Sequence, residues 1–180
     1  DEPLSNLDAR LRLAMRGEIK RLCHRLGTTT IYVTHDQAEA MTMADLVAVM
    51  GAGELQQVAA PQDIYDRPAN RFVAAFVGNP PMNIIKCQAD GDTLVAGKGR
   101  LPLTAQRRGE LGARKPAEIG IRPEDVHIVE PGTAGALSGE VYVVEPMGSE
   151  TFVDVMLGGE RVTARAEKGF RAAIGATVGL

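Results

Sequence analysis

Thr28-Thr29-Thr30-Ile31-Tyr32-Val33-Thr34-His35-Asp36-Gln37-Ala38-Glu39 decides the class of the first half of the chain. Its first seven positions are Thr, Ile, Tyr and Val, the β-branched and aromatic types that suit a pleated strand. Asp36 followed three residues on by Glu39 has the spacing of a helix cap. His35 is therefore predicted to sit between the end of a strand over 28–34 and the start of a helix. Upstream, Leu7, Leu11, Met15, Ile19, Leu22 and Leu26 recur at steps of three and four and make one helical face. Arg10, Arg12, Arg16, Glu18, Lys20, Arg21 and Arg25 mostly decorate the other, and Gly27 is the expected stop. Downstream, 46–50 and 54–58 read as strands joined by Gly51-Ala52-Gly53, and 61–65 and 70–77 as short helices. This alternation is the α/β pattern. In such folds sites lie beyond the carboxyl ends of strands. Two places fit: His35, and Asp1-Glu2, where Pro3 is expected to hold Glu2 in extended backbone.

The character changes at Gly78-Asn79-Pro80-Pro81, where two prolines exclude a continuous helix. Residues 1–80 hold only 5 of the 20 glycines. We divide the chain there into 1–79 and 80–180. The second part is predicted to be all-β, with strands over 84–89, 93–96, 117–121, 126–129, 137–144, 150–157 and 160–166 between Gly and Pro turns. Many short strands with glycine turns suggest a small OB-type barrel. Val178-Gly179-Leu180 reads as part of a further strand, so the barrel is expected to lack a closing element.

The whole chain of 180 residues is 44% apolar and 24% charged, which suits a globular protein and excludes disorder. No apolar run approaches the roughly 18 residues of a membrane span, and no signal peptide opens the chain. Asp1 rather than Met stands first and Leu180 closes an apolar pattern, so both ends are expected to be cuts through a longer protein. Net charge is −3, unlike the basic balance of a general nucleic-acid binder. In residues 81–180 the only aromatics are Tyr142, Phe152 and Phe170, better suited to core packing than to base stacking. The basic pairs Arg107-Arg108 and Arg114-Lys115 read as solvated surface. Cys23 and Cys87 have no metal-type spacing and are expected to be free thiols.

Adjacent carboxylates can do different jobs. One can hold hydrated Mg²⁺, which prefers oxygen ligands and keeps several waters. Its neighbour can orient or deprotonate an attacking water. A histidine beyond a neighbouring strand can reach a phosphate oxygen. On spacing alone, though, an Asp-Glu pair is a solvated loop and a lone His before a helix is a cap or surface residue.

The residues in order say more. Asp1-Glu2-Pro3-Leu4-Ser5-Asn6-Leu7-Asp8 resembles the end of the Walker B motif followed by the D-loop of ABC transporter ATPases. Tyr32-Val33-Thr34-His35-Asp36-Gln37-Ala38-Glu39-Ala40-Met41-Thr42-Met43-Ala44-Asp45 resembles their switch-histidine region. Phe76-Val77-Gly78-Asn79-Pro80-Pro81-Met82-Asn83 and Gly120-Ile121-Arg122-Pro123-Glu124 are similar to segments of the sugar-importer branch, maltose or glycerol-phosphate type, whose ATPase carries a C-terminal OB-like regulatory domain. The resemblance implies a partial P-loop ATPase domain of α/β class followed by an all-β OB-like regulatory domain. It implies that Asp1 holds Mg²⁺ through water, that Glu2 is the catalytic glutamate, and that His35 senses the γ-phosphate of ATP. It implies that Ser5, Asn6 and Asp8 form a D-loop at a homodimer interface, and that transmembrane permease subunits are partners at the cytoplasmic face of the inner membrane. Nucleic acid is not an implied partner.

One departure bears on activity. No G-x-x-x-x-G-K-[ST] phosphate loop occurs in the chain, and Gly97-Lys98-Gly99 and Gly51-Ala52-Gly53 lack its spacing. The resemblance puts that loop, the signature motif and the Q-loop upstream of residue 1, and the piece alone is expected to be inactive. Two other readings stand beside the ATPase. One is a non-enzymatic OB-type binding or regulatory module. The other is an unrelated hydrolase using Asp8 or Asp36 with His35.

Overall fold

A computed structural model describes residues 1–96, 99–112 and 118–180. Gly97-Lys98, Arg114-Lys115 and the first residue of the strand predicted over 117–121 lie outside the described residues. The chain divides into two compact units, Asp1–Gly78 and Asn79–Leu180.

In the first unit the helical face from Leu7 to Leu26 becomes α1, Ala9–Leu26. Asp8 caps it by accepting the Leu11 N–H at 2.9 Å, and Gly27 ends it in the left-handed conformation (φ 61°) that glycine adopts without a Cβ clash. Then come α2 (Gln37–Met43), the strands β1 (Val47–Gly51) and β2 (Glu54–Ala59), and the short helices α3 (Pro61–Asp66) and α4 (Arg71–Phe76). β1 and β2 form an antiparallel hairpin. Its core is Val49 of β1, Ile64 of α3, and Val73 and Val77 on and just after α4. α1 contributes no buried residue.

Two expectations fail here. The predicted strand over 28–34 is not in a sheet. It runs without a ladder, and its backbone tie to another segment is the Glu2 N–H donating to the Val33 carbonyl at 2.8 Å. A strand is made by its neighbours as much as by its own propensity. No other strand of the unit lies beside this segment, and Ile31 is 90% exposed. Glu2 is not extended either. Its φ is 43°, and it opens a turn in which its carbonyl accepts from the Ser5 backbone N–H (3.2 Å) and the Ser5 hydroxyl (3.0 Å). Those two bonds outweigh the local preference that Pro3 imposes.

Among the described residues the second unit holds three antiparallel sheets. β10 (Glu160–Ala166), β9 (Thr151–Leu157), β8 (Ser138–Pro146) and β11 (Thr177–Gly179) are neighbours in that order. β3 (Asn83–Lys86) pairs with β7 (Glu118–Ile121), and β4 (Gln88–Asp90), β5 (Thr93–Ala96) and β6 (Gly99–Pro102) form a meander. α5 (Ala105–Leu111) follows the meander. The core runs through Ile85, Cys87, Leu94, Ala96, Val126, Leu137, Leu157, Val162 and Ala164, with Val141, Val153, Val155 and Val178 as a second cluster.

β9 alternates without a break: Thr151, Val153, Val155 and Leu157 are buried and the residues between them are not. The apparent irregularity around Asp154 in the sequence is only Phe152 and Met156 on the outer face. β8 approaches β9 so closely at Gly139 that a Cβ there would collide with Val155. A bulge between Val141 and Val143 leaves Tyr142 unpaired and 55% exposed, which removes it from the predicted core. Phe170 does pack on the Val141–Val178 cluster, and Phe152 is half-buried. The predicted strand over 84–89 breaks at buried Cys87, because its halves pair with different partners, β7 and β5. The stretch 126–129 makes only a single bridge, Val129 to Gly179. β6 and α5 carried no clear sequence signal. Cys23 and Cys87 are free thiols, as expected. Among the described residues, no helix is long and apolar enough to cross a membrane.

Candidate active site

The geometry around His35 follows from alternation along an extended backbone, where successive side chains point to opposite sides. Tyr32 and Thr34 point one way and donate their hydroxyls to one oxygen, Glu39 Oε2, at 3.0 and 2.7 Å. Val33 and His35 take the other side. There His35 Nδ1 meets Glu2 Oε1 at 2.6 Å. The Glu2–Val33 backbone bond brings the two segments together, and the turn at Glu2 aims its carboxylate at the imidazole. A non-glycine residue at positive φ is uncommon and stores strain, which is found disproportionately at functional positions.

Asp36 caps α2 through its Oδ1, which accepts from the N–H groups of Ala38 (2.8 Å) and Glu39 (3.2 Å). Its Oδ2 takes Arg16 at 2.7 Å and lies 3.7 Å from Arg12. Glu39 has the predicted cap spacing, but its carboxylate does not return to the Asp36 N–H, which donates instead to Thr34 Oγ1 at 3.0 Å. Glu39 is 3% exposed, and Arg16 stands 3.6 Å from its second oxygen. Arg12 and Arg16 are thus not solvated decoration; both turn inward, and Arg12 also donates to the carbonyls of Ser5 and Leu7. A buried carboxylate needs such partners. The signal that could have found them is their i, i+4 spacing on α1, which puts two guanidinium groups on one face.

Of the predicted site residues, the structure brings Glu2, Ser5 and His35 together. Glu2, Ser5, Arg12, Thr34, His35, Asp36 and Glu39 line a cleft of about 40 Å³, room for a water molecule and far too small for a nucleotide. Asp8 is the α1 cap, and Asp1 and Asn6 are exposed with no hydrogen bond or ion pair to the cluster. Among the described residues the side chain hydrogen-bonded to the His35 ring is Glu2, not Asp8 or Asp36, so the unrelated hydrolase lacks its hydrogen-bonded Asp–His pair. The Asp1 carboxylate is an oxygen donor of the type Mg²⁺ takes. Among the described residues no three His, Cys, Asp or Glu side chains gather as a metal site. That fits an ion held by one or two carboxylates with waters and phosphates as its remaining ligands.

The hydrogen bond to Glu2, and then that carboxylate's charge, raise the His35 pKa above the ordinary 6.5. The folded value exceeds the unfolded one, so the pair stabilises the fold fully below about pH 6.5 and fades as pH rises through the folded-state midpoint. NMR titration of the His35 ring is expected to give a midpoint above 6.5 that returns to the ordinary value in Glu2→Gln; equal midpoints in both proteins would refute the pairing. Burial, and then the bond to Glu39 with its charge, push the Tyr32 phenol up to about 12.

Residues 78–126 match the MalK OB fold domain, and residues 119–180 the TOBE domain. The chain is 52% identical over 154 residues to a xylose/arabinose import ATP-binding protein, XacK of Haloferax volcanii, covering 85% of this chain and 40% of that one. It is 50% identical over 175 residues to the sn-glycerol-3-phosphate import ATP-binding protein UgpC of Chromobacterium violaceum, covering 95% and 46%. It is 49% identical over 170 residues to the trehalose/maltose import ATP-binding protein MalK of Thermococcus litoralis, covering 88% and 45%. The OB fold and TOBE matches together with these relatives support a place for the chain among the import ATP-binding proteins of ABC transporters, in the branch with a MalK-type OB fold. The chain spans less than half the length of these relatives. The OB fold and TOBE matches make the second unit the β regulatory part of the family's architecture, with α5 as its one described α-helix.

Proposed function

We propose that this chain is part of the ATP-hydrolysing subunit of an ABC importer that energises uptake of a sugar or a related solute such as a glycerol phosphate. The observation that carries the reading is the 2.6 Å contact between Glu2 and His35, beside a cleft with room for a water molecule. In this reading the first unit is the part of a P-loop ATPase domain that holds the water-activating and phosphate-sensing groups. Glu2 takes the proton of an attacking water on its carboxylate. His35, held by Glu2 through Nδ1, turns its other ring nitrogen toward a phosphate oxygen. Asp1 would hold Mg²⁺ through water; when bound, the ion neutralises charge on the phosphates. Ser5, Asn6 and Asp8, on the turn and cap between Glu2 and α1, form the D-loop facing a second copy of the subunit. The partners are that second copy and transmembrane permease subunits, and the place is the cytoplasmic face of the inner membrane, as a peripheral subunit.

The chain alone contains no phosphate loop and therefore no cradle of backbone amides for the phosphates. Calorimetric titration of the 180-residue chain with ATP and Mg²⁺ is expected to show no affinity tighter than about millimolar. The full gene product is expected to release phosphate from ATP when Mg²⁺ is present. Micromolar binding by the chain alone, or no ATP turnover by the full gene product, would overturn the reading.

A further inference from the structure

His35 is aimed by a residue it does not touch. We infer that Glu39 is a positioning residue: by gathering the Tyr32 and Thr34 hydroxyls on Oε2, it fixes the backbone rotation that delivers the His35 imidazole to Glu2. The inference deepens the proposed role of His35 and rests on that reading for its catalytic meaning; the geometry itself does not.

Four observations carry it. First, Tyr32 and Thr34 flank Val33 and precede His35, so alternation couples where their side chains go to where His35 goes. Second, among the described residues the segment 28–34 pairs in no sheet, and the Tyr32 and Thr34 hydroxyls on Glu39 add to the one backbone bond from Glu2 to Val33 in setting its rotation. Third, Glu39 is 3% exposed, and its charge stands opposite Arg16, 3.6 Å away. A buried carboxylate that takes two hydroxyl donors on one oxygen and faces a guanidinium with the other favours one arrangement among several. Fourth, Thr34 Oγ1 also accepts the Asp36 N–H, so the same hydroxyl fixes the residues on both sides of His35. Glu39 sits in the first turn of α2, and Asp36 holds that turn to Arg16 of α1. The clamp therefore ties the histidine's segment to α1 and α2.

The charged groups that act on the imidazole are Glu2, Asp36 and Glu39. A test must separate Glu39's charge from its hydrogen bonds. The double variant Tyr32→Phe with Thr34→Val does so, since it leaves the Glu39 charge in place and removes both hydroxyl donors. Glu39→Gln does the reverse, since an amide oxygen still accepts both hydroxyls while the charge is gone. The readout is the ¹⁵N signature of the His35 ring in the 180-residue chain, with its titration midpoint and far-UV circular dichroism recorded alongside. Glu39→Gln is expected to keep the hydrogen-bonded Nδ1 signature. Glu39→Ala and the double variant are expected to lose it, with the midpoint falling to the ordinary 6.5 and helix content retained. In the full gene product, the double variant is expected to lower kcat for ATP about tenfold or more with KM unchanged.

If the double variant is folded and keeps the wild-type His35 signature, the inference is wrong. It is equally wrong if Glu39→Gln loses the signature as completely as Glu39→Ala, because charge alone would then hold the loop. Should Glu39→Ala fail to fold, the double variant decides. An intact clamp by NMR beside a full gene product that never hydrolyses ATP would sink the ATPase reading and leave the positioning role standing.

Discussion

Glu2→Gln in the full gene product is expected to reduce ATP turnover by about 10²–10⁴-fold, the usual contribution of a positioned general base. At about 1.4 kcal/mol per factor of ten, that is roughly 3–5 kcal/mol of transition-state stabilisation. The amide keeps the size and shape of the side chain, and it can still accept a hydrogen bond from His35. What it cannot do is take a proton from water. ATP binding should survive, because in the proposed reading Glu2 acts on the attacking water and not on the phosphates. Steady-state phosphate release and equilibrium nucleotide binding, measured on the same preparation, separate the two effects. Turnover within a few-fold of wild type would remove Glu2 from the catalytic role, whatever happens to transport.

The second large effect is on stability and lies in the other unit. Asn83 opens β3 and is 8% exposed. Its Oδ1 accepts the Thr163 N–H and its Nδ2 donates to the Thr163 carbonyl, both at 2.8 Å. Thr163 lies on β10, the outermost strand of its sheet, and its backbone groups take Asn83 rather than β9. One amide side chain thus stands in for a neighbouring strand and covers an edge. Thr163 also donates its hydroxyl to Asp154 of β9 at 2.6 Å, which fixes the position Asn83 reads. In Asn83→Leu both Thr163 backbone groups lose their partner in a part-buried place, at about 1–3 kcal/mol each. For a unit of this size each kcal/mol lowers Tm by about 4–8 °C. Calorimetric melting is therefore expected to show the β unit destabilised by at least about 5 °C. An unchanged melting curve would mean that water replaces the side chain at no cost.

The two effects separate what the sequence carries from what the fold adds. α1 was legible because its periodicity and its stop at Gly27 are local, and so was the hairpin of β1 and β2; the α1 cap at Asp8 came from the structure. The strands β9 and β10 were legible because alternation has a period of two whatever the partner. Glu2 and His35 were legible because their surrounding words resemble a family, and the structure brings the two side chains to 2.6 Å. The stretch 28–34 has every local mark of a strand and is not one, since a ladder needs a second strand and propensity cannot supply it. The same limit split 84–89 between two partners and pushed Tyr142 out of the core at a bulge.

By itself, then, the sequence determined the stop of α1 at Gly27, the alternating faces and the identity of the chemical groups. Those depend on neighbours within a few residues along the chain. Only the tertiary structure decided that Arg12 and Arg16 turn inward, that Glu39 gathers Tyr32 and Thr34 instead of completing its cap, and that Asn83 covers an edge 80 residues away. Each of those is a buried polar group choosing among distant partners, and the choice is set by which hydrogen bonds remain once water is excluded.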